Sequence, residues 1–445
     1  MDTLHLPAEL ISWIHRLACV LDLRSASHFQ PLLIGLLFAT GRRTVTSWLR
    51  AGGLSQDFRA YYSFVATLGR SSKQVAGRLL RIVLDVVDPG DRLLFALDDT
   101  TTERYGPQVE GAGIHHDPTP GPANKRFLYG HVWVTLALVV RHPLWGCIGL
   151  PLLACLYVRQ CNMRWLRICY RLRFATKLEQ AADLLRWLAS WLSPSGRSLW
   201  VVADGAYAKR PVLKQALASG IVVVSRLRKD AALRSLPPVV RPEERRRGRP
   251  AKYGKQSISL AKRAGHAGGW QTEEFVLYGR KQTKTYKTFL ATYEPAAGTI
   301  RVVLVRERDG WVAFFCTAID ATVARILEAV ADRASLEQVF HDIKEIHGAG
   351  EQQVRNYWAN VGAYHLTLWW HTLVELWAWN KKHAELTNRL DSPWDDVYRR
   401  PSHADRHNAL RQSCLREQIR AVTERCPVRG KLRRLVGDLA RLAGC

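Results

Sequence analysis

The chain has few acidic residues for its length, and this shortage is the most informative thing about its composition. Its 445 residues include 39 Asp and Glu against 65 Lys and Arg, which leaves a net charge of +26. The cations are spread over most of the sequence. A positive excess of this size predicts a long polyanionic partner, most simply a nucleic acid.

Closely spaced cysteines are also missing. The nine cysteines form an odd number and include no C-x-x-C pair. Zinc fingers and disulfide frameworks both need tighter spacing, so the pattern excludes them and favours a reducing cytoplasm.

A long uninterrupted apolar segment is absent. The most apolar region, residues 132–158, is broken by Arg141, His142 and Pro143. It therefore predicts two buried strands rather than a membrane span. The first ten residues, MDTLHLPAEL, lack the basic and then apolar order of a signal peptide. We expect a soluble protein with no membrane partner.

Three common catalytic signatures do not occur in the sequence. There is no G-x-x-x-x-G-K-[ST] phosphate loop, no G-x-S-x-G nucleophile elbow and no H-E-x-x-H zinc pair. Acidic residues at the ends of predicted strands are therefore the main candidates for chemistry.

The chain is long enough for two or three domains, and its hydrophobic periodicity changes several times. Residues 42–55 fit either a helix-turn-helix DNA-binding unit or a plain helical bundle, because basic residues there flank a glycine pair. Five regions are predicted: a helical DNA-binding region (1–90), the first part of a catalytic core (91–228), a β-rich insertion with a basic loop at 242–255 (229–312), the second part of the core with a glutamate helix (313–380), and a basic helical region (381–445).

Two apolar runs in the predicted core end on acids. They are L-L-F-A-L-D-D (93–99) and S-L-W-V-V-A-D (198–204). A helix near 208–218 and a strand at 221–226 follow the second run, which predicts a crossover between parallel strands. The fold class is therefore α/β, with a mixed sheet flanked by helices.

The stretch R-A-S-L-E-Q-V-F-H-D-I-K places Arg333, Glu337 and Lys344 four and then seven residues apart. At about 100° per residue, these steps bring the three side chains to within roughly 40° on one helix face. Alone, the pattern is typical of a solvated salt-bridge face. Glu337 could instead join the strand-end aspartates as a ligand of Mg²⁺, which prefers oxygen donors. Arg333 and Lys344 would then bind phosphate groups.

Three blocks of the sequence resemble the catalytic blocks of the DDE transposases of bacterial insertion sequences, in the group with a Tyr-Arg-Glu-Lys signature. They are D-D-T-T-T (98–102), V-V-A-D-G-A-Y (201–207) and R-x3-E-x6-K (333–344), and H-G-A-G-E-Q-Q-V-R (347–355) extends the similarity. The resemblance implies a ribonuclease-H-like catalytic domain that a β-rich insertion interrupts before the glutamate helix.

The resemblance also implies roles for individual acids. The first aspartate of the family precedes Thr-Thr, which selects Asp99 over Asp98. Asp204 and Glu337 are similar to the second and third acids. All three would be metal ligands, with two Mg²⁺ ions as the expected cofactor and Mn²⁺ as a substitute.

Three further positions follow from the same resemblance. Arg333 and Lys344 match the basic pair of the signature, as DNA phosphate-binding residues. Val330 stands where the family has tyrosine, which removes a hydroxyl that would contact phosphate. Trp311 is placed like a tryptophan that stacks on a flipped base, although packing is an equal alternative. Use of a hairpin intermediate stays open.

The function that the resemblance implies is cut-and-paste transposition. The protein would bind the terminal inverted repeats of its element, cleave both ends and join them to target DNA. Its expected partners are double-stranded DNA, both transposon ends and target, and a second copy of the chain in the DNA complex. The expected location is the bacterial cytoplasm, on the nucleoid. Two alternatives stay open: a DNA-binding repressor derived from a transposase, and a nuclease that only hydrolyses DNA.

Overall fold

The N-terminal part of the chain is helical, as its periodicity predicts. The computed structural model describes residues 6–54, 56–116, 126–192, 196–238, 251–387 and 394–425. Thr44 caps the fourth helix by accepting a hydrogen bond from the Ser47 amide at 3.0 Å, and this helix ends at the predicted glycine pair. The helices before the first strand are α1 (Ala8–Ala18), α2 (Leu23–Ala26), α3 (Phe29–Phe38), α4 (Val45–Ala51), α5 (Phe58–Arg70) and α6 (Ser72–Val87).

One mixed sheet of twelve strands runs through the described residues that follow. Its strands are β1 (Arg92–Glu103), β2 (Gly113–His116), β3 (Phe127–His142), β4 (Gly146–Tyr157), β5 (Ser198–Ala203), β6 (Val222–Leu227), β7 (Leu233–Arg234), β8 (Ser257–Ile258), β9 (Gln271–Leu277), β10 (Arg280–Tyr293), β11 (Gly298–Glu307) and β12 (Gly310–Cys316). The remaining helices are α7 (Lys177–Leu192), α8 (Arg210–Ala218), α9 (Leu260–Gly265), α10 (Val323–Asp332), α11 (Ala334–Glu345), α12 (Tyr357–Ala378), α13 (His383–Leu386) and α14 (His403–Arg425).

The core of the sheet has the order β4-β3-β1-β5-β6. The pairs β4–β3 and β3–β1 are antiparallel, whereas β5 runs parallel to β1 and β6 runs parallel to β5. Helix α8 makes the crossover from β5 to β6, as the sequence predicts. This arrangement confirms the α/β class and is consistent with a ribonuclease-H-like fold.

The β-rich insertion continues the core sheet. Strand β12 pairs antiparallel with β6, with Cys316 opposite Val224 and Ala313 opposite Leu227. Strands β11, β10, β7 and β8 extend the sheet outward from β12, and β9 pairs with β10. Residues 242–250 of the predicted basic loop, and the C-terminal region after residue 425, lie outside the described residues.

Helix α12 closes the outer edge of β4. The Trp369 indole donates to the Leu152 carbonyl and the Thr372 hydroxyl to the Pro151 carbonyl, both at 2.7 Å, while His365 Nε2 accepts from the Ala154 amide at 3.1 Å. Buried backbone groups at a sheet edge need partners, and side chains of α12 supply them here. The aromatic character of this helix therefore serves the core, where Tyr364 stacks on Trp133 at 3.9 Å.

Helix α5 crosses α12 at a contact between two glycines. A Cβ added to Gly362 would lie 1.8 Å from the Val65 carbonyl oxygen, and one added to Gly69 would lie 2.0 Å from the Trp358 carbonyl oxygen. The backbones can approach so closely only because both positions lack a side chain. This contact fixes the N-terminal helices on the core. None of the helices within the described ranges is long and apolar enough to cross a membrane.

Candidate functional site

Two adjacent aspartates on β1 have different surroundings. Neighbouring residues of a strand point to opposite faces of the sheet. The Asp98 carboxylate forms an ion pair with the guanidinium of Arg333, the residue between α10 and α11. The Asp99 carboxylate instead accepts from Lys177 Nζ and from the Tyr207 hydroxyl, each at 2.6 Å. Asp98 therefore faces the glutamate helix, and Asp99 faces the other way.

Asp204 lies beside Asp98 at the carboxyl end of β5. The parallel register pairs Leu97 with Ala203. Asp98 follows Leu97, and Asp204 follows Ala203 at the end of β5, so the two aspartates are neighbours. Asp204 Oδ2 accepts from the Ala206 amide at 3.0 Å, and its carbonyl accepts from the Ser225 hydroxyl at 3.1 Å. These bonds hold the turn after β5 in place.

Glu337 joins the site through Arg333. Arg333 Nη2 donates to Glu337 Oε1 at 3.0 Å, across one turn of α11, while Nη1 of the same guanidinium contacts Asp98. The Glu337 side chain is 60% exposed, and that of Asp98 is 19% exposed. The guanidinium thus links a buried carboxylate to one that is open to solvent.

The pKa of Asp98 reflects its burial and its nearness to the other acids. The pKa of Asp98 is raised to about 6, mainly by burial and also by the carboxylates of Asp99 and Asp204, while Arg333 opposes the rise. A carboxyl with this pKa is ionised at neutral pH, and an additional cation nearby would stabilise the ionised form.

Membership of a known family agrees with this arrangement of acids. A family model of the DDE superfamily endonucleases matches residues 16–292, more than half of the chain. The chain belongs to this family. No curated protein matches it. The matched region contains Asp98, Asp99 and Asp204 but ends before α11, which carries Glu337.

The two aspartates of β1 in this DDE endonuclease lie in different surroundings, which bears on the sequence-based choice of Asp99. Register places Asp204 beside Asp98, and Arg333 links Asp98 to Glu337 on that side of the sheet. Asp99 instead bonds to Lys177 and Tyr207. The selection of Asp99 rested on the Thr-Thr that follows it, and that local cue does not indicate which face of β1 an aspartate occupies.

Lys177 and Tyr207 were not identified from the sequence as members of this network. Tyr207 ends the block V-V-A-D-G-A-Y, so its spacing from Asp204 was visible, but its bond to Asp99 spans 108 residues. Lys177 opens α7, where a basic residue has no local signal of a role. Burial, reinforced by Asp99, raises the pKa of Tyr207, which stays protonated as a donor.

The other residues expected at the site occupy its surroundings. Lys344 lies half-buried near the end of α11, two turns beyond Glu337. Val330 is on α10 and packs against the core. Trp311 is half-buried on β12, where Lys229 Nζ lies 5.4 Å from the centre of its ring.

A cationic groove leads away from Asp204 in this DDE endonuclease. A cavity of about 430 Å³ borders Asp204 and is lined by the exposed side chains of Arg226, Arg228 and Lys229. Because Lys229 also lies over Trp311, the groove connects the strand-end acid to an aromatic ring. Such an arrangement suits a nucleic-acid strand, because cations can contact its phosphates and an aromatic ring can stack on a base.

The donor set of the three acids fits the divalent cation that the family implies. Asp98, Asp204 and Glu337 offer only carboxylate oxygens, which are the donors that Mg²⁺ prefers. The positive guanidinium of Arg333 already lies between Asp98 and Glu337, where it balances their charge. The residues present are therefore compatible with metal-dependent phosphodiester chemistry.

Proposed function

We propose that the chain is the transposase of a bacterial insertion sequence, acting by cut-and-paste transposition. The observation that carries the proposal is the ion pairing of Arg333 with Asp98 and Glu337, with Asp204 beside Asp98 on the next strand, in a DDE-family chain of charge +26. The proposed substrate is double-stranded DNA, first the terminal inverted repeats and then the target.

We propose Asp98, Asp204 and Glu337 as the ligands of two Mg²⁺ ions, with Mn²⁺ as a substitute. When bound, such ions activate the attacking hydroxyl or water and stabilise the leaving oxygen of the phosphodiester. The contacts of Asp98 support it over Asp99 as the first ligand. Asp99 would act as a positioning residue, because its backbone amide donates to Asp98 Oδ1 at 2.9 Å.

The cations would bind the DNA backbone. Arg333 balances Asp98 and Glu337 in the absence of substrate, and its planar fork suits a phosphate once metal ions neutralise those acids. Lys344 is the second proposed phosphate contact, as the Tyr-Arg-Glu-Lys resemblance implies. The tyrosine contact would be missing, since Val330 stands at its place.

The strand next to the cut would follow the groove from Asp204 to Trp311. Arg226 and Arg228 would contact its phosphates, and Trp311 would stack on a base, a contact worth about 1–3 kcal/mol. Two transposon ends need two such sites, so the DNA complex would contain a homodimer.

The decisive experiment measures cleavage and joining of DNA that carries the ends of the element, with Mg²⁺. Wild type is expected to release the ends and join them to a second DNA. Asp204→Asn is expected to do neither while still shifting the same DNA in a gel. Asp183→Asn is the matched control, since Asp183 is a partly exposed acid on α7 that forms an ion pair with Arg186 outside the groove.

The same assay separates the other two functions. Cleavage by wild type without joined products would indicate a hydrolytic nuclease. Binding without cleavage would indicate a repressor derived from a transposase. Cleavage by Asp204→Asn at the wild-type rate would overturn the assignment of this site.

A further inference from the structure

A second cluster of potential metal ligands lies on the buried side of α11. Asp342, His371 and His403 come from α11, α12 and α14, and one ligand atom from each lies within 4.8 Å of the other two. Their residues are only 7%, 2% and 3% exposed. Asp342 follows Glu337 by five residues and so points away from the proposed catalytic site.

The distance between Asp342 and His371 suits a shared cation better than a hydrogen bond. Asp342 Oδ1 accepts from the Gln338 amide at 2.8 Å, whereas Oδ2 lies 3.8 Å from His371 Nε2. That separation is too long for a hydrogen bond. Two ligands that each lie about 2.1 Å from a tetrahedral zinc ion are roughly 3.4 Å apart, which a small movement would reach.

His403 is oriented as a metal-binding histidine. Its Nδ1 lies 2.5 Å from Glu375 Oε1, and because a carboxylate only accepts, Nδ1 carries the proton. His403 Nε2 therefore carries a lone pair, which accepts a hydrogen bond from His347 Nε2 at 2.8 Å, and a metal ion on His403 would replace that bond. A buried carboxylate behind a histidine is the usual support of a zinc ligand.

The protein leaves polar groups of this cluster without partners. Among the described residues, His371 Nδ1 and Glu375 Oε2 are buried and have no hydrogen-bond partner. A cavity of about 430 Å³ borders Asp342, His371 and His403 and offers a route for an ion and its water. The rings of His371 and His403 lie nearly parallel, 3.9 Å apart, so one ring must turn before both can point at a single ion.

We propose that Asp342, His371 and His403 bind one Zn²⁺ ion, with water from the cavity as the fourth ligand. Two imidazoles and one carboxylate are a known ligand set of zinc, whereas Mg²⁺ favours oxygen donors. The ion would join α11, α12 and α14, and so brace the helix that carries Glu337. This site is separate from the proposed catalytic site and does not depend on the proposed function.

The test uses the full chain, dialysed against a chelator and then titrated with Zn²⁺ by calorimetry. We expect about one ion per chain and a rise of several degrees in the melting temperature, since a ligand of the folded state stabilises it. Mg²⁺ at equal concentration should give neither effect. Co²⁺ should give visible d–d bands without thiolate charge transfer, which excludes binding by the exposed cysteines.

Matched variants locate the ion. Asp342→Asn and His403→Gln should lose the bound equivalent, whereas Glu345→Gln, on the same helix, and Glu337→Gln should keep it. No stoichiometric zinc binding by wild type would overturn the proposal, and so would unchanged binding by Asp342→Asn. Zinc binding by wild type does not depend on any variant, so its absence would overturn the proposal even if a variant fails to fold.

Discussion

At the scale of single residues, Asp98 and Asp99 show how a one-residue step along a strand changes the surroundings of a carboxylate. Substituting each by asparagine keeps its volume and removes its charge. We expect Asp98→Asn to lower Mg²⁺-dependent cleavage by about 10³-fold or more, because it removes a proposed metal ligand. Asp99→Asn should cost about tenfold, since asparagine keeps one accepting oxygen and cannot hold both Lys177 and Tyr207, which lie outside the proposed metal site. Single-turnover cleavage rates measure both; the reverse order would restore Asp99 as the ligand.

The pKa of Asp98 predicts how cleavage depends on pH. Burial raises that pKa to about 6, and only the ionised form can bind a metal ion, so the rate should fall as the pH drops below about 6. The positive charge of Arg333 lowers the same pKa, so Arg333→Gln should raise it and move the acidic limb to higher pH. Rates measured over a pH series check this shift.

A nearby arginine supplies the control for the pH experiment. Arg325 is exposed on α10 and does not pair with Asp98, so Arg325→Gln should leave the acidic limb where wild type has it. A limb that moves equally in both variants would assign the shift to net charge rather than to the ion pair.

At the scale of elements, the crossing of α5 and α12 depends on the absence of two side chains. Gly362→Ala would place a Cβ 1.8 Å from the Val65 carbonyl oxygen, so the helices must separate. We expect a loss of about 1–3 kcal/mol in the free energy of unfolding, typical of an overpacked contact. Urea unfolding measures it.

A glycine in open space provides the comparison. Gly265 ends α9, and an added Cβ there would meet nothing within 4 Å. Gly265→Ala should therefore change stability by less than about 1 kcal/mol. Equal losses at positions 265 and 362 would show that helix separation is not the cause.

The elements themselves were largely readable from the sequence. The runs at 93–99 and 198–204 predicted β1 and β5, and the crossover through α8 followed, because apolar periodicity is a local property. The pairing of β12 with β6 was not predicted, because it joins residues such as Cys316 and Val224 that are far apart in sequence. The cluster of Asp342, His371 and His403 was not predicted either, because its members lie on three different helices and share no local spacing.

At the scale of the whole molecule, the charge of +26 predicts salt-sensitive binding to DNA. If six or more phosphates are contacted, the affinity should fall by about 10³-fold or more between roughly 50 and 200 mM salt. Arg333→Gln should reduce the slope of log affinity against log salt by about one contact. A slope near zero would contradict a phosphate-based interface.

The continuity of the sheet also bears on how the protein could be shortened. Strand β12 covers the outer side of β6, so removing residues 229–316 would leave β6 with an unpaired row of amides and carbonyls. Such a row is a template for pairing with a second chain. A trimmed core would therefore self-associate rather than act as a minimal nuclease. By covering the edge of β6, the insertion protects the core from aggregation.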